Sequence, residues 1–371
     1  MKGFITGILV FSFFFFIGIL LARHKPLWTD ELCLQQSTIQ DASWPDIISG
    51  HTIENNKFPL YFALQKGFLQ VLHYQLPFVW KGENLVVDPY GQVVLRVLPD
   101  LLMSLAMSAI VLFFGFRSGF VSGVVAALFC LSMPMVWMFW VEAKQYALWF
   151  ALTAFQSLLF LDTASKKGGN APVLPFALVH AGLCLSAPFG VIQTIVGQGL
   201  LWCAGRRDIK FHFIAGLLPV FLGAYYFMAQ EKISIQLYIS CQEIFLRNFQ
   251  LEELVFLGMY TLLLLLLKGP RPSASLGRAF LPFCLTFIAI AVAGLFYVVW
   301  KSTPHSTLVV ERHFIFLTPI GVIMTAAIFS DLWLAVAGRS WLRLGLLLVF
   351  AAGVLGQILT TYEIVHFTVY Y

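Results

Sequence analysis

The amino-acid sequence predicts an all-α polytopic membrane protein with about eleven transmembrane helices. Two observations favour this fold class. Hydrophobic residues fill 60% of the 371 positions and charged residues only 11%, whereas a soluble domain carries about 25% charged residues. The apolar residues also gather in separate runs close to the roughly 20 residues that a helix needs to cross the hydrocarbon core. An ordinary soluble globule is excluded, and a net charge of only +5 argues against binding to nucleic acid.

The first apolar run covers residues 4–22, with Lys2 as its charged flank. A signal peptide has a similar flank, but its apolar region has about 7–15 residues and ends at a small-residue cleavage site. The run in this chain is longer, and Arg23, His24 and Lys25 follow it directly. We therefore interpret it as an uncleaved first transmembrane helix.

Ten further apolar runs complete the predicted bundle. Their approximate limits are residues 94–115, 119–140, 145–163, 172–187, 189–204, 211–229, 254–267, 279–300, 314–336 and 342–360. The fifth and sixth runs of the chain are weak and are broken at Pro188. We predict a single transmembrane domain over residues 1–371, whose first extracytoplasmic loop occupies residues 23–93.

The distribution of basic residues predicts the orientation of the chain. With the N-terminus in the cytoplasm, the short cytoplasmic turns hold twelve of the 23 Lys and Arg residues but only three of the 18 acids. These basic residues are Lys2, Arg117, Lys166, Lys167, Arg206, Arg207, Lys210, Lys268, Arg271, Arg278, Arg339 and Arg343. Such an excess in short loops follows the positive-inside rule. An odd number of spans then places the C-terminus outside.

The first outer loop concentrates polar side chains beyond what the topology needs. Asp30 and Glu31 begin a predicted surface-lying helix over residues 30–39. A second surface-lying helix is predicted to start near Pro59, because proline is favoured in the first helical turn. Lys57 lies just before the positive end of that helix, where a cation suggests an anion nearby. An acidic pair at a helix start also stabilises the helix without any chemistry, so both interpretations are open.

Three further groups of charged residues stand at the predicted outer ends of helices. They are Arg96 with Asp100, Glu142 with Lys144, and Glu311 with Arg312 and His313. Each group alone is typical of charged flanks that reach into the membrane interface. Together, at one membrane surface, they predict a chamber of acidic and basic side chains at the boundary with water.

Other chemistry finds little support in the sequence. There is no HExxH, CxxC, GxSxG or P-loop motif, which argues against zinc peptidase, thioredoxin, hydrolase and nucleotide-binding functions. A divalent metal held by Asp30, Glu31 and His313 is open, although no two outer histidines share a ligand spacing on one helix. Cys33 and Cys241 both lie outside the predicted spans and are candidates for a disulfide in an oxidising compartment.

Several of these segments occur in a recognisable order. They are Trp28-Thr29-Asp30-Glu31 after the first helix, then Lys57-Phe58-Pro59-Leu60-Tyr61, Leu95-Arg96-Val97-Leu98-Pro99 and Glu142-Ala143-Lys144-Gln145-Tyr146. This order resembles the GT-C superfamily of membrane glycosyltransferases, which includes protein O-mannosyltransferases and aminoarabinose transferases. The resemblance covers about the first 165 residues, with family-like helices at 94–165, and leaves more variable helices at 166–371.

The resemblance implies a reaction and roles for residues. Such enzymes take a sugar from a polyprenyl-phosphate carrier and transfer it, outside the cytoplasm, to a hydroxyl on a protein, lipid or glycan. Asp30 and Glu31 match the acidic pair that supplies the catalytic carboxylate of the family. We expect a protein of the bacterial inner (plasma) membrane with an extracytoplasmic active site. The matched segments also imply substrate contacts for Tyr61, Glu142, Tyr146 and His313.

The residue types fit this reaction independently of the family. Transfer from a phosphate ester needs a general base at the acceptor hydroxyl, and Asp30 is our choice, with Glu31 in support. A single displacement predicts inversion of the anomeric carbon. Negative charge grows on the leaving phosphate and needs cations nearby; the outer-face set is Lys57, Arg96, Lys144 and Arg312. Lys144 stands where the family has arginine, and because lysine lacks the planar fork of arginine, Arg312 or Arg96 is the better phosphate ligand.

Two other functions are open on the sequence. A transporter or flippase of lipid-linked sugars also crosses the membrane many times, but such proteins bury ionisable residues or broken helices near the midplane and often carry inverted repeats. The predicted spans hold almost no central charge and no repeat between halves. A non-catalytic scaffold for envelope assembly needs no acidic and basic set on one face. We therefore expect an enzyme whose partners are a lipid-linked sugar donor, an acceptor and the lipid bilayer.

Overall fold

The structure, a computed structural model, describes residues 2–52, 57–75, 79–81, 84–86, 88–165, 172–203, 205–229, 315–336 and 338–370. This part of the chain is helical apart from one antiparallel hairpin of two short strands, β1 (Val79–Lys81) and β2 (Asn84–Val86). Two π-helices, Leu34–Gln40 and Phe213–Leu217, are also present. The α-helices are α1 (Lys2–His24), α2 (Thr29–Cys33), α3 (Trp44–Ser49), α4 (Leu60–Val71), α5 (Pro89–Ser118), α6 (Phe120–Ser132), α7 (Pro134–Phe139), α8 (Tyr146–Ser165), α9 (Val173–Cys184), α10 (Pro188–Cys203), α11 (Ile209–His212), α12 (Leu218–Ala229), α13 (Leu317–Ala335) and α14 (Ser340–Tyr370).

The helical class predicted from composition is confirmed for this part of the chain. Five of its stretches are long and apolar enough to cross a membrane, namely Gly3–His24, Pro89–Ser118, Ile209–Ala229, Leu317–Leu334 and Ser340–Leu359. The apolar helices α6 and α9 are shorter. These helices are compatible with a multi-pass membrane protein. The total of about eleven spans stays a prediction. Of the nine predicted runs that fall in the described residues, those at 119–140, 145–163, 172–187 and 189–204 have no helix among these five. The runs at 254–267 and 279–300 lie outside the described residues.

The run predicted at residues 119–140 forms two helices and not one. Helix α6 ends at Ser132, and α7 begins at Pro134 after an extended Met133. Proline disfavours the helical conformation in the residue before it and fits the first turn of a new helix. The prediction of one continuous helix was wrong because it counted apolar residues and ignored this proline.

The first loop, residues 23–93, holds helices where the sequence predicts them. The helix predicted at 30–39 is α2 continued by the π-helix Leu34–Gln40, and the second predicted helix is α4. Helix α3 was not predicted. Ser43 and Asp46 start it by a reciprocal capping contact, and Gly50 ends it in the left-handed conformation with φ 74°. A serine followed three residues later by an acid is a known start signal, so α3 could have been found.

Helix α5 lies at the centre of the described helices and contacts α1, α6 and α8. Helix α1 approaches it closely at Gly18, where a Cβ atom would lie 1.7 Å from Oδ1 of Asp100. Helix α6 approaches it at Gly123, where a Cβ atom would lie 3.0 Å from the Cα of Gly115. Small residues at contacts allow helices in membranes to pack closely. This packing brings α1, and the first loop that follows it, beside the N-terminal part of α5.

A proline inside α5 is accommodated by a residue of the first loop. Pro99 has no N–H group, so the carbonyl of Leu95, four residues earlier, loses its helical hydrogen bond. The buried side chain of Gln65, in α4, donates from Nε2 to that carbonyl at 2.9 Å. Gln65 therefore replaces the missing backbone donor and attaches α4 to α5.

Candidate functional site

The candidate site lies where the first loop meets α5 and the turn between α7 and α8. An ion pair between Glu31 and Arg96 forms its centre, and both side chains are fully buried. Nη2 of Arg96 lies 2.8 Å from Oε2 of Glu31, and Nε lies 3.3 Å from Oε1. This is the bidentate contact that arginine favours with a carboxylate. It joins the first loop to the N-terminal part of α5.

The guanidinium of Arg96 has every N–H group engaged. Besides Glu31, it donates to three backbone carbonyls: Nη1 to Lys25 and, at 3.4 Å, to Ala22, and Nη2 to Pro26 at 2.8 Å. An arginine carries five N–H donors, and these contacts use all five. The geometry favours a role in which Arg96 positions the loop. The phosphate contact predicted for Arg96 would require one of these partners to leave.

The carboxylate of Glu31 is hydrogen-bonded as fully as the guanidinium of Arg96. Its Oε1 also accepts from the backbone N–H of Ala143 at 2.6 Å, and its Oε2 accepts from that of Trp28 at 2.9 Å. Each carboxylate oxygen thus receives one N–H from Arg96 and one from the backbone. Taking a charged group out of water costs several kcal/mol, and these four hydrogen bonds offset that cost. Glu31 is a structural anchor in this arrangement and has no free oxygen for a substrate.

Asp30 is the solvent-facing member of the acidic pair. Its side chain is 55% exposed, and its Oδ2 lies 3.3 Å from Nζ of Lys144, whose side chain is 7% exposed. Successive residues of a helix point about 100° apart, so Asp30 faces outward while Glu31 faces Arg96. The structure brings an accessible carboxylate and a cation from a distant part of the chain into contact.

Glu142 and Tyr146 flank Lys144, and both are buried. The ring of Tyr146, the first residue of α8, lies 5.0 Å from the ring of Phe139, the last residue of α7. Both predicted substrate residues of this segment are thus buried and lie two residues from Lys144 in the chain. Their role in binding a substrate stays a prediction.

Tyr61 is fully buried in an apolar cluster that includes Leu34 and Leu95. Burial, and secondly the charge of Glu31, raises the pKa of Tyr61 well above its usual value. The phenol is therefore neutral and lies close enough to Glu31 to sense the carboxylate. A substrate contact of Tyr61, as predicted, would require the cluster to open.

The segment that contains Lys57 packs against helices α9 and α10. Nζ of Lys57 donates to the carbonyl of Thr52 at 3.0 Å. The next residue, Phe58, is fully buried and packs against Cys184 and Val191 of α9 and α10. A phosphate contact of Lys57 stays a prediction.

Three predicted residues, Arg312, His313 and Cys241, lie outside the described residues. The phosphate contact, the substrate or metal contact and the disulfide proposed for them stay predictions. Cys33, the other half of that disulfide, is exposed at the end of α2. Within the described ranges, no group of three or more His, Cys, Asp or Glu side chains has the arrangement of a metal site.

Lys25 is a residue of the site that was not predicted from the sequence. It is buried, donates from Nζ to the carbonyl of Met138 and lies 5.7 Å from the centre of the Trp28 ring. Burial lowers the pKa of Lys25, while the charges of Glu142 and Glu31 act in the opposite direction. A lysine directly after a long apolar helix carries no signal in the sequence that separates this role from an ordinary charged flank.

Gln35 and Trp140 were also missed. Gln35 is fully buried and donates from Nε2 to the carbonyl of Ala143 at 2.8 Å. Trp140 is fully buried and donates from Nε1 to Oδ1 of Asp100 at 2.9 Å. The spacing of four residues between Glu31 and Gln35 was the available signal for the first of these, because it places both side chains on one face of a helix.

No protein-family model matches the chain, and no curated protein matches it. The resemblance to GT-C enzymes therefore depends on the order of the motifs in the sequence. The chemistry of the site follows from its own residues: an accessible carboxylate, an adjacent amine and a buried ion pair that holds both segments in place.

Proposed function

We propose that this protein is an integral membrane glycosyltransferase of the GT-C type, which moves a sugar from a polyprenyl-phosphate carrier to an acceptor hydroxyl at the extracytoplasmic face. The contrast between Asp30 and Glu31 carries the proposal. Glu31 is buried and hydrogen-bonded at both oxygens, whereas Asp30 is half exposed beside Lys144. A reaction that needs one carboxylate and one cation at the same surface finds both here.

Asp30 is the general base of the proposed reaction. The acceptor oxygen attacks the anomeric carbon and passes its proton to the Asp30 carboxylate, while the bond between the anomeric carbon and the phosphate oxygen breaks. A positioned general base contributes roughly 10²–10⁴-fold to the rate. A single displacement of this kind inverts the anomeric carbon, as it does in inverting glycosidases.

Lys144 is the cation that faces the leaving phosphate. Negative charge grows on the phosphate oxygens as the sugar departs, and a fixed cation stabilises that charge. A lysine amine is a point charge with three donors, so it can contact Asp30 and a phosphate oxygen together. Lys57 and Arg312 stay candidates for further phosphate contacts, and Arg96 holds Glu31 and the loop in place.

The membrane arrangement is part of the proposal: about eleven spans, a cytoplasmic N-terminus and a polyprenyl tail among the apolar helices of a bacterial inner membrane. Two charged contacts support it. Arg96 and Arg117 stand near opposite ends of α5 and are roughly 30 Å apart at 1.5 Å per residue, which matches the hydrocarbon thickness. Arg117 pairs with Asp162 of α8 at 3.1 Å, far from the face that carries Asp30.

A flippase of lipid-linked sugars is a second candidate, and one observation favours it. Asp100 is fully buried within the candidate span Pro89–Ser118, where it accepts from Trp140 and, at 3.0 Å, from Ser104. Ionisable residues inside membrane spans are expensive and often mark transport pathways. The flippase and the transferase differ in one product, because only the transferase releases polyprenyl phosphate.

The test replaces Asp30 by asparagine. Purified Asp30→Asn protein in lipid nanodiscs is incubated with short-chain polyprenyl-phosphate hexoses and pentoses and with a membrane extract as the source of acceptors. We expect release of polyprenyl phosphate to fall by about 10²–10⁴-fold, the contribution of a general base. Asp41→Asn, an exposed acid of the same loop, is the matched control and should keep wild-type activity.

Undiminished release by Asp30→Asn would overturn the assignment of the base. Movement of a fluorescent lipid-linked sugar between leaflets, with no polyprenyl phosphate released by the wild-type protein, would replace the transferase by the flippase.

A further inference from the structure

The residues that present Lys144 form a tight turn. The N–H of Lys144 donates to the carbonyl of Glu142 at 2.7 Å, and a hydrogen bond across two residues defines a γ-turn centred on Ala143. The central residue is fully buried. Its own N–H and carbonyl are not used by the turn, and buried backbone groups need partners elsewhere.

Both backbone groups of Ala143 find their partners on one helical stretch of the first loop. Oε1 of Glu31 accepts from the N–H of Ala143 at 2.6 Å, and Nε2 of Gln35 donates to its carbonyl at 2.8 Å. Glu31 lies in α2 and Gln35 in the π-helix that continues it. Residues four apart on such a stretch share one face, so the two side chains hold Ala143 from the same side.

We propose that Gln35 is a positioning residue, which together with Glu31 holds the turn 142–144 so that the amine of Lys144 stays beside Asp30. This inference rests on the proposed function for its catalytic meaning, but the geometry stands without it. Glu31 is itself held by Arg96, and Gln35 supplies the second, uncharged contact. Without Gln35, the carbonyl of Ala143 loses its side-chain donor, and we expect the turn to shift so that the Lys144 amine leaves the position 3.3 Å from Asp30.

Gln35→Leu tests this inference, and Gln65→Leu is its matched control. Both glutamines are fully buried, and each donates from Nε2 to one backbone carbonyl, at 2.8 and 2.9 Å. Loss of either bond leaves one carbonyl without its partner, so both variants should lose similar stability. Of the two glutamines, only Gln35 contacts Ala143, the residue before Lys144.

The first readout is the reactivity of the Lys144 amine in the purified protein. Reductive methylation, followed for the peptide that contains Lys144 by mass spectrometry, needs no substrate and no activity. We expect Gln35→Leu to raise the methylation rate about fivefold, the factor expected from one ordinary hydrogen bond. Gln65→Leu should leave the rate unchanged at a matched loss of thermal stability. Gln35→Asn, which keeps the amide but is one methylene shorter, should resemble Gln35→Leu and serves if that variant does not fold.

The second readout is sugar transfer. Displacement of a catalytic group by about 1 Å can lower the rate roughly 10²-fold. Gln35→Leu should therefore lower kcat by a larger factor than it raises KM. Gln65→Leu should leave both constants unchanged.

The two proposals fail in different ways. Equal methylation of Lys144 in both glutamine variants would overturn the positioning role of Gln35, even if sugar transfer is observed. Faster methylation in Gln35→Leu, combined with a wild-type protein that releases no polyprenyl phosphate, would sustain the positioning role and remove the proposed function.

Discussion

The buried pair of Glu31 and Arg96 shows what an ion pair demands of its surroundings. All five N–H groups of the arginine have acceptors, and each oxygen of the carboxylate has two donors. In the protein interior, an unpaired charge destabilises the fold far more than a paired charge stabilises it. The pair therefore contributes little to stability as a unit, but each partner depends strongly on the other.

Removal of Arg96 alone should be severe. Arg96→Met leaves Glu31 buried without its counter-charge, and we expect the free energy of unfolding to fall by about 3–5 kcal/mol. The double variant Arg96→Met with Glu31→Leu should recover a large part of that loss, because no buried charge is then left unpaired. Denaturant titration in detergent micelles measures both.

Arg117→Met is the matched control for this prediction. Arg117 pairs with Asp162 at 3.1 Å, but both side chains are partly exposed, and exposed pairs contribute only about 0–1 kcal/mol. A loss in Arg96→Met no larger than that in Arg117→Met would contradict the anchoring role, as would a double variant less stable than Arg96→Met.

At the scale of helices, the contact between α1 and α5 depends on a residue without a side chain. Gly18 lies against Asp100, which in turn accepts from Trp140 in the segment that follows α7. The contact thus connects α1, α5 and the approach to the turn 142–144. An atom added at Gly18 would press on Asp100 and not on a flexible alkyl chain.

Gly18→Ala should weaken this contact. The new Cβ would lie 1.7 Å from Oδ1 of Asp100, so either the carboxylate or α1 must move, and we expect a loss of about 1–3 kcal/mol, as for other overpacked sites. Gly7→Ala, in the same helix, is the control, because its Cβ would meet only Leu112 at 3.7 Å. Thermal unfolding of the two purified variants separates them. Equal midpoints would show that α1 and α5 are packed less closely than described.

The helices that the sequence predicted are those with local signals. Hydrophobic runs placed α1, α5 and the helices around residues 30–39 and 60–71, because apolar length and start signals are local properties. The split of α6 and α7 at Pro134 and the capped start of α3 at Ser43 were missed, although both signals are local. A count of apolar residues does not detect either signal, because it ignores the helix-breaking effect of proline and the capping effect of serine.

The candidate site was predictable only in part. Charged residues at helix ends selected Asp30, Glu31, Arg96 and Lys144, and the structure brings these four together. Which acid is buried depends on the rotation of α2 and on partners far away in the chain, so no local pattern separates Asp30 from Glu31. The role of Gln35 depends on the carbonyl of a distant alanine, and a backbone group leaves no trace in the amino-acid sequence.

For the whole molecule, the charged contacts of α5 are compatible with a helix that crosses the membrane. The contacts of Asp30, Glu31 and Arg96 gather near the N-terminal end of α5, whereas Arg117 at its other end pairs with Asp162 of α8. The stretch of α5 between the two arginines has a single charged residue, Asp100. A helix with charged groups at both ends and about 30 Å between them fits one crossing of the bilayer.

The orientation can be tested with cysteines on opposite faces. Cys33 is exposed at the end of α2, two residues after the buried acid of the site. Arg207 is exposed in the turn after α10, on the face with the predicted cytoplasmic excess of basic residues. In spheroplasts of an Arg207→Cys variant, a membrane-impermeant maleimide should label Cys33 after mild reduction, and should label position 207 only once the membrane is permeabilised. Peptide mass spectrometry identifies each site. Labelling of position 207 before permeabilisation, with Cys33 protected, would reverse the orientation and place Asp30 in the cytoplasm, where the proposed extracytoplasmic transfer could not occur.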